Sequence, residues 1–272
     1  MKGKKMISIA GRALSVAALF LACVLPLGAA SAVKLDYDTA PARVVFSITT
    51  KGGVASTLQE LTALPDFVLY GDGTAFWTRY DKAADLRQLW TATLSPEQVR
   101  AELQWLSNKG YFEWYDRYDH VTIKNLPTTY FQVNLVDGPF KRQVYGMNVG
   151  LKDHSTPAGF GEVFERFSKY SAAGEKLYNF DRVMLFARKL TRSEARRGYK
   201  TINWGVKQVK LADFARESEK EYGQFEVSGK DASRVTNRLR KWTLFSTDLS
   251  IIFFKEKKEE YQLGYRPLLP GD

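Results

Sequence analysis

The sequence predicts an α+β protein in which antiparallel or mixed sheet hairpins pack against two or three amphipathic helices. Three observations carry that expectation. Runs rich in β-branched and aromatic residues come in pairs across tight Gly/Asp turns, a hairpin signature. Helical periodicity appears in only a few segments, and strands and helices come in groups rather than in strict βαβ alternation. Finally, 44% of the residues are hydrophobic and 14% aromatic, enough for a sizeable core in a chain of 272.

The first strand is expected at 43–50, RVVFSITT, ended by Lys51-Gly52-Gly53. Residues 66–80, DFVLYGDGTAFWTRY, read as a hairpin whose Gly71-Asp72-Gly73 supplies a turn with positive φ. Leu89–Leu94 is a further short strand. A helix follows at about 95–109. Ser95 caps it, Pro96 takes the first position, Gln98 completes a capping box, and Gly110 suits the left-handed position after the end. Its Val99, Leu103 and Leu106 fall on one face.

A second hairpin is expected at 128–145, with Phe131, Val133 and Leu135 on one face and Asp137-Gly138 at the turn. Pro139 requires a place without a needed amide donor. Phe160, Val163, Phe164 and Phe167 recur at helical spacing after Pro157, a stripe that reads as core. Strands at 181–188 and 224–227 come next, then a helix capped by Asp231 and running to about Trp242. A closing hairpin is expected from Ser250–Lys255 and Tyr261–Tyr265.

The N-terminus has the layout of a cleavable secretory signal peptide. Lys2, Lys4, Lys5 and Arg12 make a basic start, an apolar run extends from Ala13 to Leu27, and Ala30-Ser31-Ala32 offers a small–x–small cleavage pattern before Val33. The run is short for a bilayer-spanning helix, which needs about 20 residues. An uncleaved anchor and lipidation at Cys23 are the alternatives. Lipidation is opposed by Phe20 and by the apolar residues that follow the cysteine. The expectation is an exported chain, placed in the periplasm, at the cell surface or outside the cell, with no transmembrane helix after processing. Cys23 is the only cysteine, so a chain beginning at Val33 has no disulfide and no thiolate chemistry.

Charge divides the chain. Residues 33–173 hold 15 Lys/Arg and 16 Asp/Glu, whereas 174–272 hold 21 and 14. Together with the small-residue stretch Ser171-Ala172-Ala173-Gly174, this suggests an N-terminal α+β domain at 33–173 and a basic C-terminal α+β domain at 174–272. One continuous sheet is the alternative. The densest basic cluster is Arg188, Lys189, Arg192, Arg196, Arg197 and Lys200, with Glu194 the single acid among them. Such a cluster fits an anionic envelope polymer or a lipid surface. Export argues against nucleic acid despite nearby Tyr199 and Trp204.

Two short motifs stand out: Pro65-Asp66-Phe67-Val68-Leu69-Tyr70-Gly71-Asp72-Gly73, and Gly264 to Asp272, GYRPLLPGD. With them the chain resembles a loose group of uncharacterised exported bacterial proteins that pair a P-x-F-x-L-Y-G-D-G hairpin with an R-P-L-L-P ending. The resemblance covers most of 43–272 and implies export and a similar order of elements, but no activity and no functional residues. The basic 188–200 segment departs from that group. Physically, both motifs read as fold-determining. Phe67 and Leu69 point to one side and Val68 and Tyr70 to the other, while Arg266 offers a guanidinium for a structural latch.

Nothing in the sequence marks a catalytic centre. Asp116, Asp119 and His120 lack zinc-site spacing, and Asp153-His154-Ser155 is too local for a triad. There is no P-loop, no dinucleotide fingerprint and no complete calcium loop, so no cofactor is implied. The leading expectation is a non-enzymatic exported protein that binds an envelope component or a protein partner. The alternatives are a carboxylate-dependent hydrolase of envelope polymers and a structural accessory subunit of an envelope complex.

Overall fold

The computed structural model describes residues 33–81, 86–119, 121–152, 154–195, 201–218, 220–240 and 253–272. The leader, with Cys23 and Ala32, lies outside the described residues. Lys34–Asp272 form one compact unit with an α+β fold. Among the described residues, no helix is long and apolar enough to cross a membrane.

The larger sheet begins with β1 (Val44–Gly52), followed by the short helix α1 (Thr57–Thr62), β2 (Phe67–Tyr70), β3 (Thr74–Asp81) and β4 (Leu86–Thr93). Then come α2 (Pro96–Asn108), β5 (Arg117–Tyr118), β6 (Pro127–Leu135), β7 (Gly138–Tyr145), α3 (Met147–Lys152), α4 (Ala158–Ser168) and β8 (Lys176–Leu177). The strand order is β5-β7-β6-β1-β2-β3-β4-β8, antiparallel except for β5 against β7. The smaller sheet uses β9 (Arg182–Lys189), the four-residue helix α5 (Arg192–Ala195), β10 (Thr201–Asn203), β11 (Gly223–Ser228), α6 (Gly229–Arg240), β12 (Phe253–Glu256) and β13 (Glu259–Pro267). Its order is β10-β12-β13-β9-β11, with β10 parallel to β12.

The expected helix at 95–109 is α2. The Ser95 hydroxyl accepts from the Gln98 amide and the Gln98 side chain accepts from the Ser95 amide, closing the capping box. Gly110 takes the left-handed φ of 79° that stops it. Pro139 lies opposite Asn134, while β5 reaches only Gln143 and Val144 of β7, so the missing amide falls on an uncovered stretch of edge. Two boundaries differ from expectation. Pairing of β1 continues through Gly52 opposite Pro127. Helix α6 begins at Gly229, which places Asp231 inside its first turn, paired to Arg234, rather than at the cap. Trp242 and Ser250 lie outside the described residues.

Helices α2 and α4 cover one face of the large sheet. The Phe167 ring sits 4.7 Å from both Phe46 and Phe67, and Phe160 sits 5.3 Å from Phe131. Val99, Leu103, Leu106, Phe160, Val163 and Phe167 are fully buried. Arg166 joins the two helices through both carboxylate oxygens of Glu102.

Strand β2 is buried on both faces. Phe67 enters the α4 side, within 4.9 Å of Tyr170, while Val68 and Tyr70 enter a second cluster with Phe76, Leu89 and Leu269. The turn after β2 needs its glycines. A Cβ on Gly71 would lie 2.1 Å from the Asp38 carbonyl oxygen, and Gly73 combines a φ of 83° with an equally close approach to Leu94. Asp72 accepts the Thr74 amide.

The two motifs singled out in the sequence therefore meet. Leu269 packs on Val68 and Tyr70, and the tail is held by Arg266 to Asp272 at 2.7 Å, with Asp272 also accepting the Leu269 amide. Burial, and then the nearby Asp272 carboxylate, raise the Tyr70 phenol above its ordinary pKa.

In the smaller sheet, Val183, Leu185, Leu263 and Tyr265 face α6 through Ala232, Val235 and Leu239. The opposite face receives α1: Leu58 and Thr62 lie where a Cβ of Gly264 would stand. A helix inserted between the first two strands of one sheet thus closes the back of the other. The small-residue stretch at 171–174 crosses as a strap. Arg79 grips both oxygens of Glu175 at 2.7 Å, and Ala172 donates its amide to the same carboxylate. Arg79 holds the Glu175 carboxyl at about 2, well below its ordinary value. The change of sheet comes after this strap, because β8 still pairs with β4.

Leu269→Ala is expected to cost about 3 kcal/mol by urea denaturation, because it empties a buried site. Asp272→Ala, which removes a partly exposed ion pair and the hydrogen bond to the Leu269 amide, is expected to cost about 1 kcal/mol. Equal losses would show that the latch, not the packing, holds the tail.

Candidate functional site

Of the basic cluster, Arg188, Lys189 and Arg192 lie among the described residues. Arg188 projects from β9 into a buried site, only 7% exposed. Its guanidinium makes a two-pronged pair with Glu194 at 2.8 and 3.0 Å and reaches Gln262 at 2.6 Å and the Tyr222 hydroxyl at 3.2 Å. Lys189 sits between Glu217 and Glu259, at 3.0 and 3.1 Å. Arg192 is exposed on α5. Arg196, Arg197 and Lys200 lie outside the described residues. The Arg188 pair is part of the fold. Its hydrogen bonds draw the Glu194 carboxyl down to about 2.

Of the histidine and aspartate candidates, Asp116, Asp119 and His154 are described. Asp116 bonds to the buried Arg142, Asp119 pairs with Arg117 at 2.8 Å, and His120 and Asp153 lie outside the described residues. His154 is exposed in a turn with φ of 60°. Among the described residues, no cluster of three or more His, Cys, Asp or Glu could hold a metal ion. Glu97, Glu165, Glu175, Glu194 and Glu226 all titrate below the ordinary carboxylate value because hydrogen bonds favour their charged forms.

The open half of the large sheet offers a different surface. Alternation on β6 sends Phe131, Val133 and Leu135 into the core and presents Thr128, Tyr130, Gln132 and Asn134 to the other side. Across the ladder, Tyr130 faces Gln143, Thr128 faces Tyr145, and Gln132 faces Lys141. Arg117 of β5 continues the row opposite Gln143.

A cavity of about 400 Å³ lies on this face, lined by Arg117, Asp119, Thr128, Tyr130, Gln143 and Tyr145 among others. A second hollow of about 480 Å³ adjoins it and shares Tyr130 and Gln143. The floor is rigid where it is spoken for. Tyr145 donates its hydroxyl to the Ile123 carbonyl and accepts the Leu126 amide, and the Tyr118 hydroxyl accepts the Tyr115 amide. Tyr130 is left with a half-exposed ring at 42%. An amphipathic ring beside an amide and an ion pair stacks on an apolar surface while bonding hydroxyl or amide groups. The signal for this face was present in the sequence as the polar alternates of the expected 128–145 hairpin.

No protein-family profile, curated protein or solved structure matches the chain.

Glu194→Gln tests the role given to Arg188. The folded carboxyl titrates far below the ordinary 4.5, so its stabilisation is present above that value and is lost as pH falls toward about 2. The substitution is expected to cost about 3 kcal/mol at pH 7 by leaving Arg188 without its carboxylate. The gap from the unsubstituted chain should close as pH falls below 4.5. A gap that stays constant with pH would contradict the assignment.

Proposed function

We propose that this chain is an exported, non-enzymatic binding protein that holds an envelope polymer on the open half of its eight-stranded sheet. The observation that carries the reading is the pair of adjoining hollows around Tyr130 and Gln143. Their combined span suits an extended, hydroxyl-bearing segment rather than a compact cofactor. The basic leader, apolar run and Ala30-Ser31-Ala32 support export.

The basic 188–200 segment gives way to this face as the leading contact. Arg188 and Lys189 already spend their charge on Glu194, Glu217 and Glu259. Arg192 remains as a peripheral cation for an anionic polymer.

A chain beginning at Val33 should be retained on isolated envelope polymer. Tyr130→Ala and Gln143→Ala should each weaken that retention roughly tenfold, the usual scale for a central contact. Both side chains point away from the core, so the thermal midpoint should hold. Retention that survives both substitutions would reject the face. Loss only on reversing Arg192 would return the contact to the basic segment.

A further inference from the structure

We infer that two joined loop tips, Gly52–Ala55 and Thr122–Asn125, seat the protein on an anionic lipid surface. Val54 is 89% exposed and Ile123 is 53% exposed, the first the most open of the large apolar side chains in the described structure. Single exposed apolar residues are ordinary on protein surfaces. These two differ because the backbone beneath them is fixed and the two tips are brought side by side.

The fixing contacts are specific. Gly52 ends the β1–β6 ladder opposite Pro127, and Gly53 packs against the backbone of Asn125 to Pro127. Tyr145 clasps the second tip from below through the Ile123 carbonyl at 2.7 Å and the Leu126 amide at 3.1 Å. Leu126 and Val121 fill the space over Gly146. Binding therefore orders little backbone, and the apolar tips enter a surface already shaped for it.

Along the two loops the charge has one sign, while the fold brings the Asp66 carboxylate to the Thr50 hydroxyl, one residue before Lys51. Lys51, at the end of β1 just before the first tip, and Lys124, on the second tip, are both exposed and without an ion-pair partner among the described residues. No acid occurs from residue 39 to 59 or from 120 to 136. The nearest carboxylate along the chain, Asp119, is held by Arg117 at 2.8 Å. Apolar tips flanked by two lysines match a bilayer whose headgroups carry negative charge, where each lysine adds attraction and the apolar side chains reach the acyl boundary. An apolar protein partner would gain nothing from the lysines.

This seat goes beyond the polymer-binding reading; the two share Tyr145 as a support, and the side chains tested differ. Residues 34–272 form a compact unit by themselves, so the test uses Val33–Asp272, which also removes the apolar 13–27 run as a source of lipid binding. Flotation is measured with phosphatidylcholine vesicles, with and without phosphatidylglycerol. Binding is expected only with phosphatidylglycerol and should weaken with salt. Lys51→Glu with Lys124→Glu should lower it at least about tenfold. Val54→Asp with Ile123→Asp should do the same, with the thermal midpoint unchanged in both. Val54→Trp should add an emission that shifts to the blue on those vesicles. Absence of binding at low salt, or binding indifferent to both double substitutions, would overturn the seat. So would concentration-dependent self-association abolished by Val54→Asp, which would assign the tips to a second copy. Tyr130→Ala should leave flotation intact, so failure of the lipid seat and failure of the polymer site are separable.

Discussion

Strand β2 has no solvent face, and that constraint organises the rest of the molecule. Four residues, Phe67 to Tyr70, are all buried. One side is taken by Phe46, Phe167 and Tyr170, the other by Phe76, Leu89 and the C-terminal Leu269. A strand in an antiparallel sheet ordinarily keeps one polar face. Here the last residues of the chain supply the second cover, so the N-terminal sheet is complete only when the tail has docked. The tail in turn follows directly from β13, which lies between β9 and β12 of the smaller sheet. Helix α1, leaving β1 and packing on Gly264 of β13, ties the two sheets a second time.

The same arrangement decides where a ligand can approach. The β2–β3–β4 side of the large sheet is closed by Leu269, Leu64 and Tyr178. Among the described residues the β6 and β7 side carries no such cover, and its outward residues include Thr128, Tyr130, Gln132, Lys141 and Gln143. The hollows therefore lie on a firm floor, with α4 packed behind Phe131. The loops that end β1 and precede β6 emerge beside the cavity through Thr128 and Tyr145. Binding a polymer in the cavity and resting on lipid through the tips would use neighbouring parts of one rigid hairpin region.

Much of this was legible in the residues, and what was not has physical causes. The long helices and the two hairpins were readable because capping chemistry and periodicity are local properties, as at Ser95, Gln98 and Gly110. Helix α1 escaped notice although Ser56 and Gln59 form a capping box. It has six residues and one buried side chain, Leu58, whose partner lies about two hundred positions away at Gly264. Asp231 looked like a cap because a local reading cannot tell the cap from the first turn. Composition counts Arg188 and Lys189 as free charges, while their partners Tyr222, Glu217, Glu259 and Gln262 arrive from distant segments. The polar face was visible only by omission, as the residues alternating with Phe131, Val133 and Leu135.

The dependence of one sheet on the other's tail is the central claim, and amide hydrogen exchange tests it most directly. Chains beginning at Val33 would be compared with and without residues 266–272. The account predicts that truncation strips protection from Phe67–Tyr70 and the paired amides of β3 together with those of β9. Protection lost only from β9 and β13, with the large sheet exchanging as slowly as before, would contradict it.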